Sequence, residues 1–244
     1  MVIFDYMKNS LLVLLLLCSF TVRAQSNMTD EVFFFKDIEF SKPTDNEKRA
    51  KYMLVTRKES DTCYARFYYN YAGSLIRVER YANKANTVTN GNWWYYDASG
   101  RLDSVGRFSR NRREGEWLYF NDTLGQTKGI LYEAGAVVKT YDYIKRNIMY
   151  PDGKIVPYSS EIDTTQEVVE ASYADGYDAL ASLYRKMMRS PERMVQFLPV
   201  GRHVVKVLFT VTTDGKICDL GIQNSIEYSA DMEALRLVSN TGKW

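Results

Sequence analysis

Two hydrophobic rhythms divide this chain. Up to about residue 150, aromatic and aliphatic side chains alternate with polar ones in short runs, the period of half-buried strands, and glycine turns at Gly73, Gly100 and Gly125 break the runs. The block Gly91-Asn92-Trp93-Trp94-Tyr95-Tyr96-Asp97 returns as Gly115-Glu116-Trp117-Leu118-Tyr119-Phe120-Asn121. Phe67-Tyr68-Tyr69 leads to Gly73 as Tyr95-Tyr96 leads to Gly100, and Leu131–Val138 is a weaker echo. The unit predicted is strand, glycine turn, strand, polar turn, repeated roughly three to four times, with Tyr52–Val55 as an entry strand. A lone hairpin cannot cover both of its faces, so such units have to stack in a row. Alternation puts Trp93 and Tyr95 on one face and Trp94 and Tyr96 on the other. Trp93, Trp117 and Tyr119 are therefore candidates for an aromatic partner-binding stripe, set against their commoner role in hairpin packing. The run Arg107, Arg110, Arg112, Arg113 reads as a solvated turn offset by Glu114 and Glu116.

After residue 150 the rhythm changes. Pro151 to about Ala171 is acidic and rich in Ser and Thr, a connector. Tyr177, Leu180, Tyr184 and Met187 then recur at helical spacing until Pro191. His203–Thr212 predicts a strand, with Val205, Val207, Phe209 and Val211 on one side and Lys206, Thr210 and Thr212 on the other. Thr213-Asp214-Gly215-Lys216 predicts a tight turn, and Cys218, Leu220 and Ile222 form the apolar side of the return strand. A helix is expected from Ser229, as its N-cap, to about Asn240, with Met232, Leu235 and Val238 on its apolar face and Trp244 packed on the sheet. Strand, turn, strand and helix leave one sheet edge uncovered, as if the chain stopped one element early. Val205, Val207, Phe209, Leu220 and Ile222, beside that edge, are candidate partner-binding residues.

The fold class predicted is a β-rich array of antiparallel hairpins followed by a small α+β domain, two helices on a short antiparallel sheet. Its expected divisions are a leader at 1–24, the array at 25–150, the connector at 151–170 and the small domain at 171–244.

Composition narrows function. Lys8 precedes the apolar run Leu11–Val22, and Val22-Arg23-Ala24 suits cleavage before Gln25, so an export signal is expected. Twelve helical residues reach about 18 Å against roughly 30 Å of hydrocarbon, too short for a stable membrane span. A lipid anchor on Cys18 is disfavoured by Leu17, which stands where Gly, Ala or Ser is wanted. With 32 Lys and Arg against 30 Asp and Glu, the chain offers no electrostatic footprint for nucleic acid. Outside the leader the cysteines are Cys63 and Cys218, able to pair in an oxidising compartment but better read as two isolated thiols. There is one histidine, His203, and neither a His/Cys cluster with metal spacing nor a Gly-rich phosphate loop. The expectation is a protein that is not an enzyme, with no catalytic, metal or cofactor site.

Residues 63–140 resemble the bacterial MORN-type repeats of YwqK-like proteins, on the spacing of glycine, aromatic cluster and turn glycine. Residues 171–244 look like a TonB C-terminal domain. The features carrying that resemblance are Asp175-Gly176-Tyr177-Asp178-Ala179-Leu180 opening a helix, Pro191, the Asp214-Gly215 hairpin, Asp231-Met232-Glu233-Ala234-Leu235-Arg236 and Lys243-Trp244. The chain departs from that family at Ser190-Pro191, where Tyr-Pro is usual, at Gly242, which replaces a proline, and in lacking the strand after Lys-Trp. No Pro-rich spacer is present either. The resemblance implies a periplasmic protein of the energy-transducer type, free or membrane-associated, that engages an outer-membrane receptor by β-strand addition for transport across the envelope. The alternative is an envelope scaffold whose TonB-like domain makes homodimers.

Overall fold

The computed structural model describes residues 30–121, 125–158, 171–242 and 244, and the backbone of Leu14 and Leu15. Two units emerge, one of Met28–Tyr71 and Ile76–Gln166, the other of Met1–Asn27, Ala72–Leu75 and Glu167–Trp244. The strands are β1 (Leu14–Leu15), β2 (Glu31–Phe35), β3 (Tyr52–Ser60), β4 (Cys63–Asn70), β5 (Leu75–Tyr81), β6 (Gly91–Tyr96) and β7 (Leu102–Ser109). They continue with β8 (Arg112–Asn121), β9 (Gly125–Glu133), β10 (Ala136–Asp142), β11 (Asn147–Met149), β12 (Ile155–Pro157), β13 (Lys206–Val211) and β14 (Ile217–Asn224). The helices are α1 (Gly176–Met187), α2 (Glu192–Phe197) and α3 (Tyr228–Ser239).

Strands β2 to β12 form one sheet in sequence order, each hydrogen-bonded to the next. This is the hairpin array, and it runs past residue 150 at its C-terminal end. Strand β2 precedes the anticipated entry strand, and β12 lies inside the expected connector. The rest of that connector, 159–170, and the leader apart from Leu14 and Leu15 lie outside the described residues. Register places Val78, Trp94, Val105 and Leu118 side by side across β5 to β8, and Trp93 opposite Gly106 on the other face. Strands β3 and β4 bury consecutive residues, Met53-Leu54-Val55 and Phe67-Tyr68-Tyr69, so they are covered on both faces rather than alternating.

On the second face a chain of rings runs Tyr81, Trp93, Phe108, Trp117, Tyr132, with successive centroids 4.8–6.4 Å apart. The indole of Trp117 lies flat over Gly106, where an added Cβ would stand 2.1 Å from a ring carbon. The Trp93 and Trp117 indole N–H groups donate to the carbonyls of Arg80 and Arg107. Arg113 does more than solvate a turn, because its guanidinium sits 4.5 Å from the Trp117 ring and donates to Tyr132 Oη.

A longer repeat also appears. The loops after β2 and β5 are copies. Asp37 accepts from the N–H groups of Ser41 and Lys42, as Asn83 does from those of Thr87 and Val88. Phe40 and Asn86 both take left-handed φ, 57° and 56°, and the isolated bridges Phe35–Pro43 and Tyr81–Thr89 correspond.

Cys63, at the start of β4, is half-buried and donates its S–H to Glu59 Oε2. Burial, then the Glu59 carboxylate, pushes the thiol up to about 11. At pH 8 it stays protonated. Alkylation by iodoacetamide, followed by mass spectrometry of the Cys63 peptide, is expected to run roughly a hundredfold slower than for a free thiol. A rate near that of the free thiol would contradict this.

In the second unit the sheet order is β1-β13-β14, all antiparallel. Three helices accompany it, one more than the spacing predicted, because Pro191 ends the segment after α1 and then caps α2. Tyr177, expected on the apolar face of α1, is 68% exposed, while Leu180 and Tyr184 are buried. The N-cap of α3 is Glu227, whose carboxylate accepts from Ser229 N–H and Oγ–H at 2.8 and 2.6 Å. Ser229 is thus a donor inside the first turn. The longer carboxylate outcompetes it by reaching one orphan N–H and the Ser229 hydroxyl while bound to Arg193.

Trp244 packs on the sheet as expected. Its ring lies 5.1 Å from that of Phe209, its indole N–H donates to Thr241 Oγ1, and its backbone N–H donates to the Gly215 carbonyl. Gly215 has φ +79°, and a Cβ there would come 2.5 Å from the Trp244 carbonyl oxygen. Gly215→Ala is expected to cost more than about 1 kcal/mol in thermal denaturation. Gly242→Ala, at φ +83° in open space, pays only the backbone penalty. Equal losses would contradict the steric part of the argument.

Candidate partner-binding edge

The site is built from the middle of the small sheet. Val207 and Phe209 are fully buried on β13, and Val205 just before it is nearly so. The covering surface is α3, whose Ala230, Ala234, Leu237 and Val238 are buried. Leu208 on the opposite side is buried as well, so β13 is more apolar than a simple alternation predicts. On its inner side β13 pairs with β14 across two register shifts. At the second, Asp219 takes a left-handed φ of 51°, which an Asp tolerates at a bulge.

On its outer side, among the described residues, β13 pairs with two, Leu14 with Val207 and Leu15 with Lys206. A six-residue strand is about 20 Å long and this pairing covers about 7 Å of it. Among the described residues, β14 has no strand on its outer side. Among the described residues, one flank of the hairpin thus carries an apolar segment and the other carries no strand.

The helices are locked around this sheet by charge. Glu227 is completely buried and paired to Arg193 on α2, whose guanidinium also stacks 4.5 Å from the Phe197 ring. Asp231 is equally buried, accepting from Ser225 Oγ at 2.5 Å and from Ile226 N–H. Beside α2 and α3 lies an apolar pocket of about 180 Å³, whose walls include Met194, Val205, Ala230 and Leu237.

The predicted partner residues fall into two groups. Val205, Val207, Phe209 and Ile222 are core side chains, because the face they share is the one α3 covers, so their side chains offer no surface to a partner. Leu220 is half-buried. In the array Trp117 is 2% exposed, held under Arg113 and against Gly106, and is no free platform. Trp93 and Tyr119 are half-buried, Trp93 by its neighbours in the ring chain, Tyr119 beneath the Lys128 ammonium. His203 lies ahead of β13 rather than within it, with Nε2 2.7 Å from the Pro199 carbonyl oxygen.

Residue spacing does not reveal α2 or the pocket it borders. The one available signal was Met194 and Phe197 three apart after a proline. Among the described residues no group of three or more His, Cys, Asp or Glu is placed to hold a metal, and no helix is long and apolar enough to cross a membrane. Neither protein-family models, curated proteins nor solved structures give a match to this chain.

Proposed function

We propose that this is an exported, periplasmic binding protein without chemistry of its own, whose C-terminal unit takes an extended segment of another envelope protein as an added strand on β13. The hairpin array serves as spacer or docking surface. The reading follows the resemblance to TonB C-terminal domains, and the favoured partner is an outer-membrane receptor of the TonB-dependent kind. The observation that supports it is the outer edge of the six-residue strand β13, which accepts an apolar strand at Val207 and Lys206. Backbone groups at such an edge bind any extended chain, each hydrogen bond returning only about 1 kcal/mol net.

A peptide carrying a receptor's TonB box, titrated into protein beginning at Gln25, is expected to shift or broaden the amides of residues 204–212 and 217–223. Unmoved amides throughout would remove the reading. A second reading is self-association by antiparallel pairing of two copies along β14, which has no strand on its outer side among the described residues. Light scattering that shows a dimer, with no peptide bound, would select it.

A further inference from the structure

We infer that the strand-accepting edge of β13 continues into the apolar pocket beside α2 and α3, so that the segment recognised is an extended peptide whose side chain opposite Val205 is a large hydrophobe. This rests on the strand-addition reading and names what that site selects.

The register carries the argument. Leu14 pairs with Val207 and Leu15 with Lys206, so the next residue of any strand in this register stands opposite Val205. Val205 precedes β13 directly and is also part of the pocket wall. Because side chains alternate, the peptide residues opposite Val207 and Val205 both project to the side α3 covers. Opposite residues in an antiparallel pair are about 4.5–5.5 Å apart at Cα, which puts the second of these side chains at the pocket mouth.

The chemistry of the pocket fits a neutral hydrophobe. Its volume of about 180 Å³ exceeds the roughly 150 Å³ of an apolar cavity known to admit benzene. Glu233, the acid in its wall, accepts from the Arg189 N–H and from Arg236, so its charge is compensated before a ligand arrives. Val195 at 52% and Val200 at 108% exposure leave the rim apolar and open to water. Methionines 188 and 194 adapt the walls to different shapes. Main-chain pairing gives no discrimination among sequences, and an anchor of this kind supplies it.

The test uses protein recovered after export from a Gram-negative host, and two acetylated peptides, Lys-Thr-Leu-Leu-Leu-Thr-Lys and the same peptide with Asn as its fifth residue. NMR follows the amides of Lys206–Val211 and the methyl groups of Val205, Met194 and Ala230. The leucine peptide is expected to move both sets and to bind roughly ten- to a hundredfold more tightly than the asparagine peptide. Val195→Glu, at an exposed rim position, is expected to remove most of that preference while the amides of β13 still respond. Equal affinities, with amides shifted and pocket methyls still, would overturn the anchor and leave strand addition standing. Pocket methyls that move without any change along β13 would overturn both.

Discussion

Arg193→Ala is expected to destabilise the C-terminal unit by about 3–5 kcal/mol, the cost of leaving a buried charge without its partner. Glu227 has no solvent exposure, and the Arg193 guanidinium is its cationic partner. The same carboxylate caps α3 through Ser229, so the pair joins α2 to the first turn of α3. Water does not reach Glu227 to replace the lost charge, so the penalty appears as unfolding rather than as rehydration. Urea denaturation followed by the NMR signal of the Trp244 indole N–H separates this unit from the array, which holds the other three tryptophans. A double-mutant cycle sharpens the test. Glu227→Gln in the Arg193→Ala background is expected to recover part of the loss, because a neutral amide still accepts from Ser229 without burying charge. A loss below about 1 kcal/mol for Arg193→Ala would place the pair among ordinary surface ion pairs.

Trp117→Ala is expected to cost the array about 3–5 kcal/mol, as large-to-small changes at buried aromatics do. Trp117 is almost fully buried, T-shaped to Phe108 and Tyr132, and capped by Arg113. Its indole occupies the space left by the missing side chain of Gly106, where a Cβ would meet three ring carbons at 2.1–2.3 Å. Gly106→Val is therefore expected to destabilise by about 1–3 kcal/mol or more on its own. In the Trp117→Ala background the same valine enters space the indole has vacated, and its cost is expected to vanish or reverse. The coupling read from thermal denaturation of the four variants is the decisive quantity. Additive losses would mean that the two residues do not share one space.

Much of the fold was legible because it depends on local pattern. The Trp93 and Trp117 blocks mark β6 and β8, and the Asp214-Gly215 turn marks the hairpin of β13 and β14. Helix α3 was placed to within a residue of its start, although its cap was assigned to Ser229 when the buried Glu227 performs that role. Capping by Glu227 depends on Arg193, far away in the chain, and no local rule contains that information. The repeated loops after β2 and β5 escaped notice for a related reason. They conserve a hydrogen-bond scheme, Asp37 or Asn83 folding the backbone onto one side chain, while hardly sharing residues.

The candidate site was legible as an edge but not as a pocket. Alternation in β13 identified Val205, Val207 and Phe209, and burial then showed them to be core, so their side chains offer no surface to a partner. The pocket needs α2, a single short helix whose six residues have too few turns to display a period. Trp117 illustrates the converse. Aromatic spacing suggested a platform, and a glycine on the neighbouring strand turned it into a packed ring.

Amide hydrogen exchange along β13 is the most direct test of the account. In a strand with one open side, every second N–H points to the open edge and exchanges fast. Protein beginning at Gln25 is expected to lose protection beside Lys206 and Val207 relative to the full chain, and to gain it at the outward-facing amides of Lys206–Val211 when the leucine peptide is bound. Identical protection in all three states would mean that no strand is accepted there, and the proposed function would fall with it.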